Sequence, residues 1–234
     1  MSLSCFAQSE AIKTEDADAK IIAEVLGQKI TAAEKDNLQG LIFGALLQEF
    51  AKENKIEPTE AELDAFIVQT QKQEKRNQVE FEADRERLRR ELRSTDLSDE
   101  EREDKESQLQ TVESILKANR ETKRMTKGME AEMHSMMCQM AQQFVNSWKI
   151  NKALYEEYGG RIIFQQAGVE PLDAYRDFLR KKEEQGAFQI LDESHRAQFW
   201  NYFTNDNMHT FYDKNDGAKF IHTPWWMVDK SPEE

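Results

Sequence analysis

The chain has 234 residues, enough to bury a sizeable core, yet 33% are charged against 38% hydrophobic, so much of it must be solvated surface or arm and one compact globule is not expected. The net charge of −13 is spread along the chain, roughly −6, −2 and −5 over residues 1–73, 74–130 and 131–234, with no basic patch, which sets nucleic acid aside as a partner. No run of 18 apolar residues offers a membrane span, two cysteines are too few for a disulfide framework, and four prolines and nine glycines among many Glu, Lys, Gln and Ala favour a mainly helical protein.

Residues 1–18 show no hydrophobic period and are expected to be a flexible N-terminus, extended or disordered. Ser2 to Ala7 are small and apolar before Gln8-Ser9-Glu10, as at the end of a secretory signal, which points to an exported protein. Cys5 lacks the leucine three residues upstream that lipid modification would require. Ile21 to Leu26 then read as a strand, and Gly27-Gln28 reverse the chain into Lys29-Ile30. Thr31-Ala32-Ala33-Glu34 has the form of a capping box, and Leu38, Leu41, Ile42, Ala45, Leu46 and Phe50 follow at helical spacing. Pro58 breaks that helix, and Thr59-Glu60-Ala61-Glu62 starts another whose apolar stripe opens on Leu63, Phe66 and Ile67.

Residues 25–31, the helix carrying Leu46-Leu47-Gln48-Glu49-Phe50-Ala51, and residues 56–64 together resemble the N-terminal chaperone region of the SurA-type periplasmic foldases. The resemblance covers about residues 19–73 and implies a helical module that cradles unfolded exported polypeptides in the periplasm, without catalysis. Foldases of this type also commonly carry a parvulin-type prolyl isomerase domain rich in Gly and buried strands. A charged segment stands in that place here, so isomerase activity is not expected.

That segment, residues 74–125, balances its cations with a similar number of anions at spacings of three and four. Phe81, Leu88 and Leu92 form a seam too thin for a core face, matched by Leu109, Val112, Ile115 and Leu116. Ser94 to Leu97 should bend the chain, and Ser98-Asp99-Glu100-Glu101 is a third capping box. The spacing predicts an antiparallel helical hairpin over residues 79–93 and 98–122. It reads either as a solvated arm or as a coiled coil that grips a client, one specific partner or a second copy in a homodimer.

Met125, Met129, Met133, Met136, Met137 and Met140 are the most unusual feature of the composition. The candidate client-binding face consists of Met133, Met136, Met137, Met140, Phe144 and Trp148, because flexible, polarisable thioethers suit a groove that must accept many sequences. The same residues can equally fill a core. Met133, His134, Met137 and Cys138 together are soft donors of the kind Cu(I) selects, but His134 and Cys138 lie one residue off the Met stripe and no second cluster accompanies them, so no metal or other cofactor is assigned.

Gly159-Gly160 should stop this helix, and Arg161 to Gln166 read as a short strand whose natural partner is Ile21 to Leu26. Pro171 opens a helix with Leu172, Tyr175, Phe178 and Leu179 inward, and Asp192 can cap another carrying Phe199, Trp200 and Phe203. Asn215-Asp216-Gly217 reads as the turn of a terminal hairpin, and Trp225-Trp226 as a tail that docks back. His134, His195, His209 and His222 have no metal-ligand spacing, and no nucleophile or phosphate-loop motif occurs, so no catalytic residues are assigned.

The expected fold is mainly α: a SurA-N-like module with a small two- or three-stranded sheet, a projecting antiparallel helical hairpin at 74–125, and a C-terminal helical region over 126–234 that shares the core of 19–73. The expected function is ATP-independent binding of unfolded exported polypeptides, with a coiled-coil assembly protein as the alternative.

Overall fold

In a computed structural model of the protein, residues 20–125, 128–165 and 168–227 are described. The expectations for residues 1–18, Cys5 among them, lie outside these. The chain divides into two compact units, one holding the described parts of Met1–Thr59 and Gln143–Glu234, the other Glu60–Gln142.

The first unit is built on a three-stranded antiparallel sheet of order β2-β1-β5, with β1 Ile21–Val25, β2 Gln28–Thr31 and β5 Phe188–Ile190. Leu26 and Gly27 join β1 to β2 with φ of 49° and 77°, the left-handed pair that matches the twist of a two-residue hairpin. A register shift between Ile21 and Ala23 breaks the in-out alternation, so Ile22 and Ala23 are both fully buried. After β2 the Thr31 N–H and hydroxyl each donate to the Glu34 carboxylate at 3.0 Å, and the helix starts as a 3-10 turn before α1 Leu38–Glu53. Helix α1 lays Leu38, Ile42, Leu46 and Phe50, each four residues apart, into the core. It ends before Pro58 is reached, on Lys55 in the left-handed region, with Ile56 N–H donating to the Ala51 carbonyl.

The rest of this core comes from beyond residue 142. The C-terminal half of α4 Glu130–Tyr158 supplies Ile150 and Leu154, α5 Leu172–Glu184 supplies Leu172, Tyr175, Phe178 and Leu179, and α6 Glu193–Thr204 supplies Phe199 and Phe203. Asp192 caps α6 as expected, accepting from the Ser194 and His195 amides.

Two sequence expectations are corrected here. Residues 161–165, the described part of that strand, do not pair with β1. The strand β3 Ile163–Gln165 pairs instead with β4 Gly168–Glu170, and its other edge is held by a bridge from Ile163 to Phe211. The neighbour of β1 is β5, where Phe188 and Ile190 point inward and Gln189 outward. Nor is Gly217 a hairpin turn. It lies inside α7 Lys214–His222, whose start is capped by the Asp213 carboxylate. A Cβ on Gly217 would stand 3.1 Å from that of Ile162 and 3.2 Å from that of Tyr212, so the glycine serves close packing. Trp226 is buried edge-on to Trp148 at 5.8 Å, while the Trp225 side chain falls outside the described residues.

The second unit is dominated by two long antiparallel helices, α2 Glu60–Glu91 and α3 Asp99–Met125, which pack against each other. Ser98 and Glu101 exchange capping bonds of 2.9 and 3.3 Å at the start of α3. Leu88 and Leu116 are 2% and 3% exposed, while the other seam residues are half-buried. Cross-helix contacts Arg89–Glu113 at 2.7 Å, Lys105–Glu91 at 2.6 Å and Lys123–Gln78 at 2.6 Å hold the register. Charge supports the same pairing. Residues 85–93 carry five cations and two anions, and the acidic start of α3, residues 99–106, carries six anions and two cations. Acid first and base last also matches the helix dipole.

Candidate functional site

From Glu130 on the Met-rich segment is helical, because Met, Ala, Gln and Glu all favour helix and no Gly or Pro interrupts residues 130–158. Of the candidate residues, Met133, Met136, Met137 and Met140 lie in the unit of residues 60–142, and Phe144 and Trp148 in the other. Met136 and Met140 are 61% and 40% exposed, and Met129 just before the helix 49%, while Met133 and Met137 are half-buried. The stripe is thus divided between covered and open side chains. Phe144, in the other unit, is half-buried. Trp148 is engaged there: its indole N–H donates to the Ile221 carbonyl at 2.8 Å, and Lys152 Nζ sits 5.4 Å from its ring centre.

Cys138 Sγ lies 3.5 Å from His134 Nε2 one helical turn away. The pair brings a thiol to an imidazole, but among the described residues His134 has no further hydrogen-bond partner to orient it, and no group of three or more His, Cys, Asp or Glu is placed to hold a metal ion. The other histidines are tied into structure. His195 Nδ1 lies 3.2 Å from Asp192 Oδ1 outside hydrogen-bonding geometry, a charge contact only when the imidazole is protonated. His209 Nε2 meets the Tyr202 carbonyl at 2.7 Å, and His222 Nδ1 is 3.8 Å from Glu156.

Sequence reasoning missed a polar cluster behind β4. The Tyr202 hydroxyl donates to Glu170 at 2.8 Å and is met by Gln165 at 3.4 Å. The Tyr175 hydroxyl donates to Asn151 at 2.6 Å, and Asn151 donates in turn to the Val169 carbonyl. Burial pushes the Glu170 carboxyl up, against the opposing effects of the Tyr202 hydrogen bond and the nearby His209. Burial likewise raises both phenols, the neighbouring carboxylate adding to the effect. No spacing could have found this set, since its members come from α4, the β3–β4 hairpin, α5, α6 and the loop after α6. A second set is a clasp. Arg161 reaches Asp173 at 2.9 Å and Asp206 at 2.7 Å, Arg176 reaches Asp206 at 3.2 Å, and the two carboxylates hold the Arg161 pKa above its ordinary value.

The Glu170 cluster makes a test of the sign of these electrostatics. Because its folded pKa is raised, the stability Glu170 confers is full below its unfolded value and is lost as pH rises through the folded one. Glu170→Gln keeps an acceptor for Tyr202 without the buried charge. It should melt higher than the parent at pH 7.5, by about 2–4 °C, and the difference should vanish near pH 4. Calorimetry at the two pH values checks this, and a lower melting temperature at pH 7.5 contradicts it.

Compared with known proteins, the chain matches no family model, no curated protein and no solved structure.

Proposed function

We propose that the protein binds unfolded, exported polypeptides in the periplasm without ATP, as a chaperone does, through the open part of the Met-rich helix. The observation that carries this reading is the exposure of Met136 and Met140, 61% and 40%, beside half-buried Met133 and Met137 on one helix. Large apolar side chains left open and able to reshape suit a surface that takes many sequences. The resemblance of residues 25–64 to the SurA-type chaperone region supports the same reading. At about 25 cal/mol per Å², covering a few such side chains gives only a few kcal/mol after ordering costs, so client affinity should be micromolar and broad.

The test is suppression of aggregation of a chemically unfolded outer-membrane protein diluted out of denaturant, without nucleotide. The parent should suppress it at near-stoichiometric ratio. The Met136→Ser, Met140→Ser double variant should lose most of that effect while its melting temperature stays within about 2 °C, since neither side chain is core. A parent that leaves aggregation unchanged sinks the proposal, and a double variant that unfolds makes these residues core. The charged hairpin favours a second reading, an assembly protein with one specific partner, and tight capture of a single folded protein in place of unfolded chains would select it.

A further inference from the structure

Part of the hairpin's charge is paired within it: Arg87 meets Asp84 at 2.7 Å, Glu91 meets Lys105 at 2.6 Å and Arg89 meets Glu113 at 2.7 Å. One stripe of α3 is set apart by the order of its charges. Steps of four and three from its first residue give Asp99, Glu103, Glu106, Gln110, Glu113, Lys117, Arg120 and Arg124, a single helix face lying next to the Leu109, Val112, Leu116 seam. All are exposed except the half-exposed Glu113. Asp99, Glu103, Glu106, Arg120 and Arg124 have no ion pair among the described residues, and Lys117 reaches only Glu121, at 4.0 Å. Like charges three and four apart on one helix repel, and the helix dipole compensates only in the first and last turns. Glu103, Glu106 and Lys117 lie further in.

Reversed about a point between Thr111 and Val112, the stripe becomes its own complement. Asp99 falls on Arg124, Glu103 on Arg120, Glu106 on Lys117 and Gln110 on Glu113. Every unpaired acid meets a base, and the one amide meets the one carboxylate already engaged with Arg89. A face with this property is matched by the same face of a second copy turned antiparallel, as a two-fold axis requires. The structure also offers the room: a surface groove of about 310 Å³, lined by Arg85 and Arg89 of α2 and by Glu113, Leu116, Lys117 and Arg120 of α3, four cations against one carboxylate that is itself paired with Arg89.

We propose that α3 is a self-association strip, on which a second copy lays its own α3 antiparallel so that Glu103 and Glu106 of each copy enter the other's groove. The contact is almost wholly ionic and lies on one helix, so it is a weak, exchanging, salt-sensitive dimer. The net charge of −13 per copy repels at long range, and only the copies in register gain the pairs. This proposal is independent of client binding.

Sedimentation velocity of the whole chain, from about 10 µM to about 500 µM in about 0.1 M salt, should show a monomer–dimer equilibrium. Raising the salt to about 0.6 M should weaken it by about tenfold or more. The Glu103→Lys, Glu106→Lys variant and the Lys117→Glu, Arg120→Glu variant should each sediment as monomers. Mixed in equal amounts they should form a heterodimer, and the variant carrying all four changes should again pair with itself. Circular dichroism confirms that each variant keeps its helices, and the four-change variant guards against a loss that is merely misfolding. A parent that stays monomeric throughout overturns the proposal, as does association unchanged by either charge reversal, or two folded variants that ignore each other when mixed.

Discussion

Replacing Phe203 with Ala is expected to lower the stability of the first unit by about 3–5 kcal/mol. The side chain is fully buried, and its ring meets Phe43 at 5.4 Å, Phe199 at 5.4 Å and Tyr202 at 5.1 Å, so it binds α1 to α6. Its removal leaves a cavity whose walls are themselves rigid rings and cannot collapse into it. Urea unfolding followed by near-ultraviolet circular dichroism should show a lower midpoint at an unchanged slope. Phe164→Ala is the matched control. That ring is 58% exposed, and its loss should cost under about 1 kcal/mol. Equal losses from both would mean that the core lies elsewhere.

Leu116→Ala is the corresponding change in the second unit, with an expected cost of about 2–5 kcal/mol. Its effect should be large for the size of the unit, because the seam of α2 and α3 is thin and Leu88 and Leu116 are its two fully buried side chains. Hydrogen exchange reads the result residue by residue. Amides of α2 and α3 should exchange faster, while those of β1, β5 and α6 keep their protection. Faster exchange spread evenly over both units would show that they unfold as one.

The local part of the fold was legible in the sequence and the distant part was not. The Ser98–Glu101 box, the Asp192 cap and the matching seams of the hairpin are interactions among neighbours, or between segments joined by a short bend, and their chemistry is visible as spacing. The partner of β1 is not of this kind. Strand β5 is three residues long, and nothing near it in sequence marks Phe188-Gln189-Ile190 as an edge awaiting Ala23 to Val25. Gly217 misled for a related reason: its neighbours Asn215 and Asp216 carry turn chemistry, but the close approach of Ile162 and Tyr212 decides its role. In the candidate site the Met stripe was plain from composition, whereas the difference between exposed Met136 and half-buried Met137 depends on what lies against the helix. The Glu170, Tyr202 and His209 cluster is assembled wholly by the fold.

The pairing of β1 with β5 has a consequence for how the chain is made. Val25 and Phe188 are partners although they stand 163 positions apart, so the first hairpin leaves a synthesising ribosome with one edge of β1 unmatched. That edge stays open to foreign strands until β5 emerges. The segment between contains α2 and α3, whose contacts are local enough to form in advance, shortening the loop that must still close. A ribosome stalled before residue 186 should therefore display a finished helical hairpin attached to an unfinished sheet.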